Sequence, residues 1–125
     1  MKAIKFFAVA AVLATNSAVA SELVYLSCDL PARDGISATH FDFTLDEKNG
    51  TVSYFVREAN ATNKEKAVFG PNAITWANQL SLGSTITRTI SRTDLSFTQK
   101  TEIPGVVNRQ EAGTCELVTP SERKF

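Results

Sequence analysis

Two cysteines are the residues with the clearest chemistry in this 125-residue chain. Cys28 and Cys115 lie near opposite ends of the sequence, so that a bond between them would close a loop of about 88 residues. A loop of that length stabilises the folded state by about 4–5 kcal/mol in the chain-entropy model. The alternative is a pair of free thiols in a reactive or zinc site. Because tetrahedral zinc takes four ligands and the chain has one histidine, we predict a structural disulfide.

The one histidine, His40, stands two residues before Asp42. On a strand these two side chains share a face, where a carboxylate could orient the imidazole as a general base. Most such pairs are exposed strand residues, and the chain has no Gly-x-Ser-x-Gly elbow, phosphate loop or His-Glu-x-x-His motif. The acidic turn of Asp46, Glu47 and Asn49 offers too few ligands for calcium. We predict that the protein is not an enzyme and uses no metal and no cofactor.

The first twenty residues have the pattern of a secretory signal peptide. Lys2 and Lys5 supply positive charge, 4–13 is an apolar run broken only by Lys5, and Ala18-Val19-Ala20 fits the small-x-small cleavage rule. We predict that 1–20 is removed and that 21–125 forms a single domain. No later apolar run approaches the about 20 residues of a membrane span. The protein is therefore expected in the periplasm or secreted, without a membrane span.

A lipoprotein signal is the rival interpretation of the same segment. In that case Cys28 would carry the lipid. Glu22 separates the apolar run from this cysteine, and Tyr25 occupies a position where such signals usually carry leucine. A lipid on Cys28 would also leave Cys115 without a partner, so the disulfide remains the prediction.

The charge balance excludes some partners. Once Lys2 and Lys5 are removed, acidic residues outnumber basic ones by two. A slightly acidic domain favours neither nucleic acid nor an acidic membrane surface, because both attract basic proteins. Any partner is therefore expected to be a protein in the envelope or outside the cell, while the sequence leaves the oligomeric state open.

Apolar residues recur with a period of two, which indicates strands. The clearest hairpin joins 41–46 to 51–56 through Asn49-Gly50, a pair that tolerates the positive φ of hairpin turns. The polar stretch 57–66 is predicted to be a loop. Further short strands are predicted at 24–30, 67–69, 74–76, 84–92, 95–101, 106–108 and 114–118. We expect about seven or eight of these segments to form strands, which predicts an all-β fold, either an antiparallel β-sandwich or a small barrel, with one disulfide joining its ends.

Four side chains are candidates for contact with a partner. The first is Phe55, an aromatic residue on the outer face of the predicted hairpin. The second is Trp76, which also fits a core position. The third is Arg88, an arginine between two isoleucines, which is either partly buried with a carboxylate partner or placed at a sheet edge. An arginine on the same strand face is the fourth. These candidates are Phe55, Trp76, Arg88 and Arg92. For Arg88 we expect the buried, structural role, because its two isoleucine neighbours are more easily explained by burial.

A set of short motifs resembles a group of small exported bacterial β proteins of unknown function. The matching segments are Leu26-x-Cys28, Phe43 to Asp46 before Thr51-Val52, Ile74-x-Trp76, Ile86-Thr87-Arg88 and Gly113-x-Cys115. The resemblance implies a small disulfide-closed β domain and no assigned activity. The opening Tyr25-Leu26-Ser27-Cys28-Asp29 is also similar to that of periplasmic inhibitors of c-type lysozyme. The chain lacks their Ser-Gly loop and following tyrosine, so no functional residue is carried over.

Together these observations favour an exported protein-binding or inhibitor-type module that acts through a sheet face or its loops. The alternative is a structural or envelope-associated protein without catalytic activity. A binding module predicts an exposed cluster of aromatic and arginine side chains. A structural protein predicts no such cluster, and fold alone does not choose between the two.

Overall fold

The computed structural model describes residues 23–80 and 83–119. It confirms the predicted all-β architecture. The predicted signal peptide lies outside the described residues. Within the two described ranges, no helix is long and apolar enough to cross a membrane. The antiparallel strands are β1 (Val24–Leu30), β2 (Thr39–Asp46), β3 (Thr51–Val56), β4 (Ala61–Lys66), β5 (Val68–Phe69), β6 (Ala73–Gln79), β7 (Thr85–Ser91), β8 (Ser96–Ile103) and β9 (Val107–Leu117).

All nine strands belong to one sheet in the order β4-β3-β2-β1-β9-β8-β7-β6-β5. Neighbouring strands are consecutive in the chain, except that β1 pairs with β9 and so brings the first and last strands together. The two edges of the sheet approach each other where β4 lies close to β6. The sheet is therefore a nearly closed barrel, which decides between the two predicted architectures.

Alternation along the strands places an apolar set of side chains inside the barrel. At its centre, five aromatic rings pack with centroids 5.2 to 6.4 Å apart, and three of the contacts are edge-to-face. Offset and edge-to-face arrangements are the favoured geometries of aromatic pairs. The five residues are Phe41, Phe43, Tyr54, Trp76 and Phe97.

The predicted disulfide is present and joins β1 to β9. Cys28 and Cys115 are direct partners in the strand register, with Cα atoms 4.0 Å apart. The two strands are unusually close beside this bond. A Cβ atom on Gly113 would collide with the main-chain oxygen of Asp29, so only glycine permits this approach. The bond closes a segment with a sequence separation of 87, which contains nearly all of the described structure.

Between β1 and β2 the chain makes a tight reversal at Asp34-Gly35. Both residues have positive φ, at 41° and 77°. Arg33 and Ile36 exchange two backbone hydrogen bonds, of 2.9 and 2.6 Å. Two positive φ angles in a two-residue turn define type I′, for which Asp-Gly is a preferred sequence. The Asp34-Gly35 turn is thus a fixed hairpin tip.

Two stretches differ from the sequence prediction. The predicted loop 57–66 is wrong, because Ala61–Lys66 pairs with β3 as strand β4. This strand lies at the edge of the sheet, where charged residues such as Lys64 are expected and no apolar alternation is needed. The two short strands predicted at 106–108 and 114–118 are parts of one strand, Val107–Leu117.

Candidate functional site

Two of the predicted partner contacts face each other inside the barrel. Trp76 of β6 is the register partner of Arg88 of β7, and only 3% and 8% of their surfaces are exposed. The guanidinium carbon of Arg88 lies 5.3 Å from the ring centroids of both Phe41 and Tyr54. Such cation–π contacts partly compensate a buried cation. Arg88 is buried as expected, whereas a binding role for either residue stays a prediction.

The hydrogen-bond partners of Arg88 are neutral groups. Its Nε donates to Oε1 of Gln99 at 2.8 Å, and its Nη1 donates to the hydroxyl of Tyr54 at 3.2 Å. Among the described residues, no carboxylate forms an ion pair with Arg88, so the carboxylate partner considered from the sequence is replaced by an amide and a phenol. Burial lowers the pKa of Arg88, and the interaction with Tyr54 opposes that shift.

These bonds continue to the surface as a chain. Nε2 of Gln99 donates to Oε1 of Glu111 at 3.0 Å, and Glu111 also accepts a hydrogen bond from Nε of Arg33. Burial acts to raise the pKa of Glu111, but the hydrogen bonds from Arg33 and Gln99 outweigh it and lower that pKa. Nη1 of Arg33 then fixes the β1–β2 loop by donating to Pro31 O, Ser37 O and Thr39 Oγ1. We call the part of the barrel that contains Arg33, Arg88, Gln99 and Glu111 the polar end.

The opposite part of the barrel interior, the apolar end, contains an open cleft of about 230 Å³. Its floor consists of four buried aliphatic side chains, Leu26, Leu45, Ile74 and Ile90. Its rim includes residues from the first and last strands, from β5 and from two turns, Val24, Glu47, Phe69, Arg92, Leu95 and Leu117. We call this feature the apolar cleft.

Arg92, a predicted partner contact, lies on the rim of the apolar cleft. Its Nη2 donates to Oε1 of Glu47 at 2.5 Å, and its Nη1 donates to the main-chain oxygen of Gly70 at 2.6 Å. The side chain thereby connects the β2–β3, β5–β6 and β7–β8 turns. Beside it, Leu117 and Val24 are 65% and 39% exposed. The rim thus combines a fixed ion pair with apolar surface that nothing in the described chain covers.

Phe55, the remaining candidate, lies elsewhere. It is on the outer face of β3, half-buried, and its register partner on β4 is Thr62. It borders a shallow depression together with Thr44 and Lys64. The four predicted contacts therefore do not form one site. Two are inside the barrel, one is on its outer wall, and only Arg92 adjoins the apolar cleft.

The pairing of His40 with Asp42 that the sequence suggested is not formed. Asp42 accepts two hydrogen bonds from Arg57, at 3.1 and 3.2 Å. His40 instead lies between two other carboxylates, with Nε2 2.8 Å from Asp29 and Nδ1 2.9 Å from Glu58. In the part of the chain that the structure describes, no three His, Cys, Asp or Glu side chains are grouped to hold a metal ion.

Sequence reasoning missed most of the apolar cleft. Val24, Phe69, Leu95 and Leu117 come from separate segments, and only the β1–β9 pairing and the turns bring them together. One local signal was available, since Leu117 has the same strand parity as Cys115 and therefore points inward at the barrel mouth. Comparison of the chain with protein-family models, with curated proteins and with solved structures gave no match. The functional argument therefore depends on the geometry of this cleft.

Proposed function

We propose that this protein is an exported protein-binding module, and that its apolar cleft receives one large apolar side chain of a partner protein. The observation that carries the proposal is the open cleft of about 230 Å³ with exposed Leu117 and Val24 on its rim. Export is supported by the signal pattern of 1–20 and by the Cys28–Cys115 disulfide, because such bonds persist in oxidising compartments.

The size of the cleft favours a side chain over a separate small molecule. Pockets for drug-sized ligands measure about 300–1,000 Å³. A cavity of about 150 Å³ lined by leucine, isoleucine and phenylalanine already holds benzene. The apolar cleft lies between these limits at about 230 Å³, which suits a leucine, phenylalanine or tryptophan side chain. Anchors of this kind, inserted into desolvated pockets, supply most of the free energy of many protein interfaces.

The rim supports a protein partner for a second reason. Exposed apolar surface next to a pocket and surrounded by polar groups is typical of interaction sites. Here Leu117 and Val24 would be covered by the surface around the inserted side chain. The ion pair of Arg92 and Glu47, already fixed by Gly70, offers a polar border without further ordering. Little conformational entropy would be lost on docking, which is the condition for useful affinity from a small contact.

Affinity capture with matched variants tests the proposal. Leu117→Lys places a charge on the cleft rim, and Val106→Lys places the same charge on the turn between β8 and β9. Both side chains are exposed, at 65% and 76%, so both variants are expected to fold. We expect a protein in envelope extract that wild type and Val106→Lys retain and Leu117→Lys loses. The purified partner should then bind wild type in calorimetry at least about 10-fold more tightly than Leu117→Lys.

Small probes test the cleft without any partner. Benzene and isobutanol stand in for aromatic and aliphatic side chains, and NMR should show saturable shifts in the methyl groups of Leu26, Ile74 and Ile90. A partner that binds Leu117→Lys as tightly as wild type would place the interface elsewhere. Absence of both capture and probe binding would favour the structural alternative. Self-association that Leu117→Lys abolishes in ultracentrifugation would assign the cleft to a second copy of the chain and contradict a separate partner.

A further inference from the structure

A second pocket lies at the polar end, where β9 extends past β1. Strand β9 begins at Val107, but β1 pairs only with its later part, Thr114–Leu117. The β1–β2 loop lies next to the part that β1 leaves uncovered. Between loop and strand is a pocket of about 280 Å³, lined by charged side chains of the loop, Arg33 and Asp34, and of the strand, Arg109 and Glu111.

Two of these four charges neutralise each other. Arg33 and Glu111 form an ion pair, and both groups make further hydrogen bonds within the chain. The other two charges have no such partner. Neither Asp34 nor Arg109 forms a hydrogen bond or an ion pair with any of the described residues, and Nε of Arg109 is buried without an acceptor. A buried donor that lacks an acceptor is costly, and few are found in native structures.

The position of Asp34 is fixed by its neighbours. It occupies the type I′ tip with φ of 41°, and Arg33 holds that tip through bonds to Glu111, to two loop carbonyls and to Thr39. The carboxylate is therefore presented to the pocket by an ordered backbone. Because Asp34 and Arg109 line the same pocket without pairing, the space between them offers one place for a positive group and another for a negative group.

We propose that this pocket binds a small zwitterion, an amino acid or dipeptide whose carboxylate meets Arg109 and whose ammonium group meets Asp34. A simple anion would be attracted by Arg109 but repelled by Asp34. A simple cation would be attracted by Asp34 but repelled by Arg109. A ligand with both charges satisfies both residues, and guanidinium–carboxylate contacts are among the stronger hydrogen bonds in proteins. The volume of about 280 Å³ falls just below the range of drug-sized ligands, which suits a molecule of this size.

The uncovered edge of β9 adds a reason to include a peptide bond in the ligand. Gln110 and Ala112 of this edge line the pocket. A strand edge presents main-chain N–H and C=O groups that can pair with an added peptide. A dipeptide can use these groups, whereas a free amino acid has no peptide bond to offer. An amino acid and a dipeptide carry the same two charges, so they can be distinguished by comparing the affinities of a shorter and a longer ligand.

NMR titration of the full mature chain with four probes tests this site. Diglycine and glycine carry both charges, and acetate and methylamine carry one each. We expect saturable shifts around Asp34, Arg109 and Gln110 with the zwitterions, at an affinity at least about 10-fold above that of either single-charge probe. Tighter binding of diglycine than of glycine assigns a role to the strand edge.

Three variants make the test specific. Arg109→Gln and Asp34→Asn each remove one charge that forms no hydrogen bond or ion pair with the described residues, so both should fold and both should lose the zwitterion binding. Lys100→Gln on β8 is the matched control and should bind as wild type. Absence of saturable shifts with all four probes would overturn the proposal. So would acetate binding as tightly as glycine, or Arg109→Gln binding diglycine normally. The apolar cleft takes no part in this experiment, so its outcome is independent of the proposed function.

Discussion

The two ends of the barrel interior share strand β7, which contributes Ile90 to one end and Arg88 to the other, and they are filled by different interactions. At the apolar end, Leu26, Leu45 and Ile90 are buried by contacts that are individually weak and have no preferred direction. At the polar end, Arg88 and Glu111 are buried through a connected set of hydrogen bonds. A missing apolar contact costs little, so a cleft can remain open, whereas each missing hydrogen bond leaves a costly unpaired group. The apolar end is therefore adaptable, and the polar end is specified in detail.

The largest effect on stability is expected from the Cys28–Cys115 disulfide, which joins the first strand to the last. Reduction of Cys28–Cys115 should lower the free energy of unfolding by about 4–5 kcal/mol, because the bond restricts a long loop in the unfolded chain. Urea denaturation with and without reductant measures this. Fluorescence of Trp76 and NMR signals of the polar end should report one common transition. An unchanged midpoint, or separate transitions for the two ends, would contradict the prediction.

Glu111→Ala tests the polar end directly. It leaves Arg33 without its ion pair and Gln99 without its acceptor, so we expect a loss of about 3–4 kcal/mol. The matched control is Glu102→Ala on the neighbouring strand, where an exposed carboxylate lies 3.7 Å from Lys100. The control should stay within about 0.5 kcal/mol of wild type in urea denaturation. Equal losses would mean that burial of Glu111 carries no special cost.

The same residue predicts a dependence on pH. Because the folded protein lowers the pKa of Glu111, its stabilising effect is present above the unfolded value of about 4.3 and is lost as the pH falls through the lower, folded value. The stability difference between wild type and Glu111→Gln should therefore shrink below about pH 4. Denaturation curves at several pH values test this, and a difference that grows on acidification would have the wrong sign.

Arg88→Ala should cost about 2–3 kcal/mol. The substitution leaves space beside Phe41 and Tyr54 and removes the donor to Gln99. It also removes a desolvated charge that has no direct counter-ion among the described residues. Arg88→Met refills most of the space without restoring the hydrogen bonds, so it should recover part of the loss. Chemical denaturation of wild type, Arg88→Ala and Arg88→Met measures these differences in stability. An unchanged midpoint for Arg88→Ala would refute the structural role and return this residue to the list of partner contacts.

The smallest effect is expected at the apolar end. Ile90→Val removes one methylene next to an existing cleft and should cost about 1 kcal/mol. The substitution changes no charge, so the loss should be the same at neutral and acidic pH. Denaturation at both pH values checks this. A loss that changes with pH would show that the two ends are coupled and not separate.

The fold was largely predictable because its strands have one apolar face. The period-two pattern of 24–30 and of 41–56 predicted β1, β2 and β3, together with the inward set that includes Phe43 and Tyr54. Strand β4 was missed because it lies at the sheet edge and its sequence, ATNKEK, has no apolar alternation. Edge strands carry charged and polar residues that prevent them from pairing with other chains, so their sequences resemble those of loops.

The candidate sites were much less predictable than the strands. Burial of Arg88 followed from its isoleucine neighbours, but its partner Gln99 is on another strand, and no local pattern identifies it. The apolar cleft and the pocket beside Asp34 and Arg109 each combine segments that are adjacent only after β1 has paired with β9. From residue types alone, His40 and Asp42 were a candidate base and its orienting carboxylate. In the structure, Asp42 pairs with Arg57 and His40 pairs with Glu58.

The pairing of β1 with β9 also has a consequence for folding. Apart from this one pairing, every pair of neighbouring strands is consecutive in the chain, so that β1 to β4 and β5 to β9 are two meanders of local contacts. Local contacts form early because little loop entropy is lost, and a pairing across the whole chain forms slowly. Cys28 and Cys115 lie in that slow pairing. Oxidised protein diluted from denaturant should therefore refold faster than reduced protein, since its slowest contact has already been made.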